Sequence, residues 1–240
     1  MLWGMNCDQV RKNLQFFGIT DTLYDLALRA INRFFFIKIL NGMKTITINS
    51  ANLAIDKKYK HGFLSERELK KFALVPDYEL TENFLKEARK RGDQCYGILD
   101  GDILVNYSWY SDKPMHIYPQ ELFLSFSSEY VYIYKAFTHI LYRGQNLQPV
   151  GKSLALKEFL DMGYKGIVSY VESNNFSSLR AAEKTRGERF GRIYIAGILK
   201  RYLIYCDKGC RDHQFRLALT EPQICNPISQ PMVGPDHLVS

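Results

Sequence analysis

The sequence predicts a mixed α/β (α+β) fold: a central twisted mixed sheet, largely antiparallel at first, with a parallel pair around one turn and helices on its flanks. Three observations carry this. Residues 130–137, YVYIYKAF, are aromatic and β-branched and read as a buried strand. The polar, basic turn Arg143-Gly144-Gln145-Asn146-Leu147-Gln148-Pro149 follows, then a helix over 150–162 and a strand over 167–171. That last strand runs parallel to the first if the helix between them is a crossover. Upstream, Asp100-Gly101-Asp102 separates two apolar runs, a strong signal for an antiparallel hairpin.

The elements follow in order. Asp8 caps a helix to about Phe17, Gly18 ends it, and Thr20 caps a second helix whose apolar positions reach Phe34. Residues 44–49 alternate Thr and Ile and fit a first strand, and 52–62 read as a loop. Ser65-Glu66-Arg67-Glu68 opens a helix to about Phe72 in the manner of a capping box, and Thr81 opens another that runs to Arg91 before Gly92. Residues 94–99 and 103–110 are the hairpin strands, and 113–124 are irregular. After the central unit, Gly163 stops the crossover helix, 175–184 form a short helix, 192–199 a strand and 214–219 a last one. Residues 1–42 are expected to form an N-terminal helical extension, 43–220 the main domain, and 221–240 a mobile, proline-rich tail.

Composition narrows the partners. A chain of 240 residues with 46% hydrophobic and 24% charged content buries a core as one soluble domain. A net charge of +7 suits an anionic partner, whether a phosphorylated cofactor, a nucleic acid or a membrane surface, and equally a basic, well-mixed surface. No nucleic-acid fold signature accompanies the charge, so no nucleic acid is expected. Five widely spaced cysteines without a signal peptide indicate free thiols in a reducing cytoplasm. The apolar run 34–40 carries Lys38 and is too short to span a bilayer, so no transmembrane segment is expected; it packs on the core or docks at a membrane surface. Cys206, Cys210, His213 and Cys225 fit no common zinc spacing, and no metal is expected.

Two phosphate-binding motifs compete for the turn. Gly151-Lys152-Ser153 supplies the end of a nucleotide P-loop, with Asn146 where its first Gly belongs. Pro149 removes an N–H that loop would need. The second reading is a family resemblance. Residues 142–149, YRGQNLQP, resemble the pyrophosphate loop of the GNAT superfamily of acyl-CoA N-acyltransferases, usually [QR]-x-x-G-x-[GA]; residues 171–184, VESNNFSSLRAAEK, look like that family's next signature, and 189–193, RFGRI, like an altered form of its closing stretch. A shifted alignment would use 148–153 as the loop, with Gly151 and Lys152 in contact with the ligand.

The resemblance implies a GNAT-like fold, acetyl-CoA or another acyl-CoA as co-substrate, and a primary amine as acceptor, on a sugar, an amino acid or a peptide. It implies a splayed, bulged sheet at Phe137, Thr138, His139 and Ile140, where backbone groups hold the pantetheine arm. Arg143, Gly144, Gln145, Asn146, Leu147 and Gln148 would hold the pyrophosphate, and Asn175 and Ser178 would contact the pantetheine. The base region of the family falls on Glu129, Tyr130, Tyr132 and Tyr134, whose tyrosines share one face. Tyr132 lies nearest the usual base position, in the role of orienting a water; aromatic packing is the competing reading. The family's thiolate-protonating Tyr falls on Ala182, so that acid is absent. The loop departures also admit an acyl carrier protein as donor. Two further functions stay open: a GNAT-like module that binds acyl-CoA or a partner without catalysis, and a P-loop nucleotide-binding protein.

Overall fold

The computed structural model describes residues 7–119, 121–198 and 201–219. Helix α1 (Cys7–Ile31) leads into strand β1 (Phe36–Thr45), and β2 (Tyr59–Phe63) precedes helices α2 (Glu66–Ala73) and α3 (Glu82–Arg91). Strands β3 (Gln94–Asp100), β4 (Ile103–Ser111), β5 (Met115–Ile117), β6 (Leu122–Ser125) and β7 (Tyr130–Thr138) follow, then α4 (Leu147–Asp161), β8 (Gly166–Glu172) and α5 (Phe176–Lys184). The chain continues through β9 (Glu188–Ile198), β10 (Arg201–Cys206), α6 (Lys208–Asp212) and β11 (Arg216–Ala218).

The main sheet has the order β10-β9-β1-β8-β7-β4-β3-β2, and β11-β6-β5 form a small second sheet. Every neighbouring pair in the main sheet is antiparallel except β7 and β8. The sheet is therefore mixed, as expected, with its one parallel pair around the turn. Helix α4 covers one face, packing Leu147, Val150, Leu154, Leu156 and Phe159 against Tyr96, Ile98, Val105 and Val131. Helices α2 and α3 cover the opposite face over Cys95, Leu104, Tyr107 and Trp109. The small sheet packs Met115, Ile117, Leu122 and Leu124 against Leu40, Tyr132, Val168 and Ile193.

Local signals account for much of this. Ser65 and Glu68 form the capping box of α2, and Thr81 caps α3, which ends at the left-handed Gly92. Gly101 takes φ 59° in the β3–β4 hairpin. Gly18 breaks α1 with φ 86°, matching the expected division of the first helical segment.

Several expectations change. The first strand is not 44–49 but β1, from residue 36, and it sits between β9 and β8 in the middle of the sheet. The second helical segment stops at Ile31, and the Asn32 side chain bonds both Leu28 O and Ile37, joining helix to strand. The proposed boundary at 42/43 thus falls inside β1. The segment 52–62 is not all loop: β2 pairs along β3. The segment 113–124 holds β5 and β6. The strand expected over 192–199 begins earlier, at Glu188, and β10 pairs with it as a hairpin. Residue 199, Cys225 and the tail at 221–240 lie outside the described residues.

Candidate functional site

Strands β7 and β8 are paired only at Tyr130–Gly166, Val131–Ile167 and Tyr132–Val168. Beyond that point they part. Strand β7 continues along β4 and β8 continues along β1, so the facing edges of 133–138 and 169–172 carry no ladder between them. The cause of the parting lies in the β4–β7 register. Trp109 faces Lys135 while Tyr110 faces Ile133, which leaves Tyr134 as an extra residue. A bulge of this kind bends its strand and re-aims side chains. Here Tyr134 and Lys135 both turn to the α3 side: Tyr134 OH donates to Asp93 Oδ2 at 2.8 Å, and Lys135 Nζ donates to Glu79 O at 2.8 Å.

The opening is a cleft of about 370 Å³. Ile133, Tyr134 and Ala136 form one wall, Ser169, Tyr170 and Glu172 the other; Gln148 and Pro149 at the start of α4, with Asn175, Ser178 and Ala182 of the α5 segment, close it. Backbone N–H and C=O groups that no neighbouring strand satisfies favour a ligand that carries amides of its own.

At one end of this cleft lies the turn. Gly144 and Asn146 adopt φ 86° and 60°, left-handed conformations natural to Gly and tolerated by Asn. Among the described residues, the N–H groups of Gly144, Asn146, Leu147 and Gln148 have no hydrogen-bond partner. They surround the positive end of α4, a favourable place for an anion. The turn is anchored from several sides. Tyr59 OH donates to Gln145 Oε1 at 3.0 Å, Asn146 Nδ2 to Asn52 Oδ1 at 3.2 Å, and Arg143 Nε to Thr138 O at 3.3 Å. Asn106, buried on β4, donates to Gln148 Oε1 at 2.7 Å, and Gln148 Nε2 donates on to Ser108 Oγ at 3.2 Å.

Gly151 lies within α4, not in the turn. A Cβ there would stand 2.7 Å from Asn106 Oδ1 and 3.3 Å from Ile98 Cδ1, so this glycine lets α4 sit close on β3 and β4. Lys152 points away from the loop to the inner side of the cleft, which it lines with Thr185, donating to Thr45 Oγ1 at 2.9 Å and Thr185 Oγ1 at 3.4 Å. Burial lowers its pKa to about 8. These placements overturn both the P-loop reading and the shifted alignment: the would-be phosphate residues are helical and packed, and the sheet has a single parallel pair.

The remaining candidates divide. Of the three proposed catalytic residues, Tyr134 alone lines the cleft. Tyr132 shares its face but lies in the paired stretch, buried between Phe126 and Tyr170. Burial pushes the Tyr132 phenol well above its ordinary range; burial and the Asp93 charge do the same to Tyr134. Both stay protonated at neutral pH, and Tyr134 donates its hydroxyl hydrogen to Asp93. Glu129 stands before the start of β7, ion-paired with Lys165 at 2.5 Å and about 16 Å from Tyr134 at the usual strand rise.

The bulge is three residues earlier than expected. Phe137 stacks on Tyr107 beneath α2 and α3, Thr138 Oγ1 accepts from Asn106, and His139 opens a short 3-10 turn with Nδ1 accepting from Leu141 N. His139 is a capping residue there, not a member of the bulge. Asn175 caps α5, accepting from Ser178 N at 3.1 Å, and both residues face the cleft. Sequence reasoning missed Asp93, Asn106 and the burial of Lys152. Each owes its place to a partner distant in sequence, although an acidic residue opening an apolar strand, as at Asp93, is a signal in itself.

No family model matches the chain, and no curated protein matches it. Solved structures do. An aminoglycoside acetyltransferase from an uncultured soil metagenomic sample, in complex with sisomicin, is similar at 17% identity and a TM-score of 0.41, over 55% of this chain and 90% of that one. A GCN5-related N-acetyltransferase-like protein from Streptococcus suis is similar at 14% identity and 0.48, over 77% and 68%. An acetyltransferase of the GNAT family from Colwellia psychrerythraea is similar at 15% and 0.44, over 68% and 56%. Likenesses at this level describe a partly shared backbone path, and the chemistry of the cleft rests on its own residues. Among the described residues no group of three or more His, Cys, Asp or Glu is placed to hold a metal ion, and no helix is long and apolar enough to cross a membrane. His213, expected near the cysteines, stacks on Phe190 and bonds Gly209 O through Nδ1 at 2.9 Å.

Proposed function

We propose that this chain is an acyl-CoA-dependent N-acyltransferase that moves an acyl group, acetyl in the simplest case, to a primary amine. The observation that carries this reading is the cleft between β7 and β8, which joins two unpaired strand edges to the free N–H groups at the start of α4. An extended, amide-bearing thiol arm matches the first feature and a pyrophosphate the second. In this reading Arg143 and the N–H groups of Gly144, Asn146, Leu147 and Gln148 hold the pyrophosphate. Asn175 and Ser178 face the pantetheine, and the thioester lies at the bulge beside Tyr134. Tyr134, held protonated, orients groups at the reacting centre through its hydroxyl. Tyr132 supports the strand from the core, and Glu129 supports its entry.

The direct reaction needs an uncharged amine, because an ammonium has no lone pair with which to attack. Its nitrogen bonds the carbonyl carbon, the C–S bond breaks, and the thiolate takes a proton. Ala182, at the position the family resemblance gives to a tyrosine acid, leaves that proton to come from water or from the newly acylated nitrogen. The same Ala182 favours a second reading, a module that binds acyl-CoA without turnover.

Thermal unfolding with acetyl-CoA, longer acyl-CoAs and ATP–Mg²⁺ separates the readings, since a ligand of the folded state raises its stability. Acyl-CoA should raise the Tm, and Arg143→Ala should weaken its affinity about tenfold, the loss of one charge-assisted contact. Stabilisation with no turnover over a panel of amines selects the binding module. Absence of any shift with acyl-CoA refutes the proposal.

A further inference from the structure

Helix α1 buries polar residues and exposes apolar ones. Asn13, Thr22 and Asp25 are buried on its inner side. Phe16, Ile19 and Leu23 are 61%, 69% and 60% exposed, and Phe34 and Phe35, in the turn to β1, are 78% and 50% exposed. Beyond Gly18, the exposed residues Ile19, Leu23, Ala27 and Ile31 recur every fourth position and form one stripe about 18 Å long. The inner side is tied to the segment after β8. Tyr24 OH bonds Ser173 Oγ at 2.8 Å, Asn174 Nδ2 donates to Asp25 Oδ1 at 2.9 Å, and the ring of Phe17 lies 5.4 Å from that of Phe176.

The apolar surface continues onto the sheet. Ile198 and Leu203 of the β9–β10 hairpin are exposed. Register puts Leu203 in one row with Ala196 and Ile37, on the face where Ile37 and Leu28 of α1 line a common cavity. A contiguous exposed apolar surface rimmed by polar groups marks a site of interaction.

Charge selects the partner. Among the described side chains of residues 10–35, the exposed charges are Arg11, Arg29 and Arg33, whereas Asp25 is buried and Asp21 half-buried. Arg29 pairs with Asp25 at 2.8 Å; Arg11 and Arg33, at the two ends of the stripe, form no ion pair among the described residues. Arg180 adds a cation beside the helix, stacked on Phe17 at 4.8 Å. A second copy of this chain would set these arginines against one another, since the described segment exposes no acid to match them. A helix with an apolar face between arginines suits a membrane interface: the apolar side chains enter the acyl region and the arginines reach back to phosphates.

We infer that α1 and the Phe34–Phe35 turn dock this protein on the surface of an anionic phospholipid bilayer. The axis of α1 lies along the surface, Ile19, Leu23 and Ile31 enter the acyl region, and Arg11 and Arg33 meet the headgroup phosphates. Helix α1 then stands between the bilayer and residues 173–176, the segment that carries Asn175 to the β7–β8 cleft. The inference does not depend on what that cleft binds.

The test is sedimentation of the full chain with vesicles of phosphatidylcholine alone and of phosphatidylcholine mixed with phosphatidylglycerol. The mixed vesicles should bind at least about tenfold more tightly, and added salt should weaken the binding by screening the arginines. Arg11→Gln with Arg33→Gln should remove most of that preference, a loss of about tenfold in affinity for the mixed vesicles. Leu23→Glu with Phe34→Glu should abolish binding to either vesicle. All four side chains are exposed, and urea unfolding checks that the variants fold; should the glutamate pair fail to fold, the arginine pair decides. Equal binding of the native protein to the two vesicle types, binding to neither, or unaltered binding by the glutamate variant overturns the inference. A native dimer that the glutamate pair converts to monomer, with no vesicle binding, overturns it in favour of a second copy on this surface.

Discussion

Replacing Lys152 by methionine should change stability in a way that depends on pH. The native ammonium is buried on α4, and its partners are the hydroxyls of Thr45 and Thr185 rather than a carboxylate. The drop from 10.5 to about 8 corresponds to about 3–4 kcal/mol of disfavoured charge, at about 1.4 kcal/mol per pH unit. Below pH 8 the lysine is charged in both folded and unfolded chains, and the folded chain bears that penalty in full. Between pH 8 and 10.5 the folded chain releases the proton while the unfolded chain keeps it, so stability rises with pH; above 10.5 the penalty is gone. Methionine removes the charge but also two hydrogen bonds, about 1 kcal/mol each. The variant should therefore exceed the native protein by about 1–2 kcal/mol at pH 7 and fall below it by about 2 kcal/mol above pH 10.5. Urea unfolding of both proteins across this range, taken as the difference between them, cancels the tyrosines and cysteines that titrate in common. A difference that stays flat with pH would refute the buried charged lysine.

Two smaller perturbations bear on the scaffold. Gly151→Ala places a methyl against the Asn106 amide and Ile98, and should destabilise by about 1–3 kcal/mol in urea unfolding. It should also weaken the acyl-CoA shift, because Asn106 steadies Gln148 at the turn. Ser65→Ala removes the hydroxyl half of the α2 capping box and should lower unfolding free energy by about 1 kcal/mol, with acetyl-CoA binding unaffected.

What the sequence made legible was what neighbours in the chain decide. Caps at Ser65 and Thr81, the left-handed Gly92 and Gly101, and the turn at Gly144 and Asn146 are each set within a few residues. Strand β1 was not legible because it is a central strand. Residues 40–43 are buried in succession, so no alternation marks them, and the apolar run before them continued a helical spacing up to Phe34. The bulge was hidden for a different reason. Tyr130, Tyr132 and Tyr134 alternate as an unbroken strand would, and only the register against Trp109 and Tyr110 shows the extra residue. Asp93 gave only a partial signal, an acid at the opening of an apolar strand: its partner Tyr134 is 41 positions away.

The place of β1 has a consequence for how the protein comes into being. Its two neighbours, β8 and β9, are made more than a hundred residues later, as the pairings of Leu40 with Glu172 and with Ile193 show. During synthesis β1 must wait, with Phe36, Leu40, Ile37, Ile39 and Met43 exposed, while everything through β7 is already able to pair locally. Contacts of such long sequence separation are slow to form and leave a sticky strand exposed in the interval. The wall of the cleft contributed by β8 leans on this first strand, so the N-terminal residues complete a site to which they contribute no part of the turn. On the ribosome the β7–β8 cleft is among the last features of the molecule to exist.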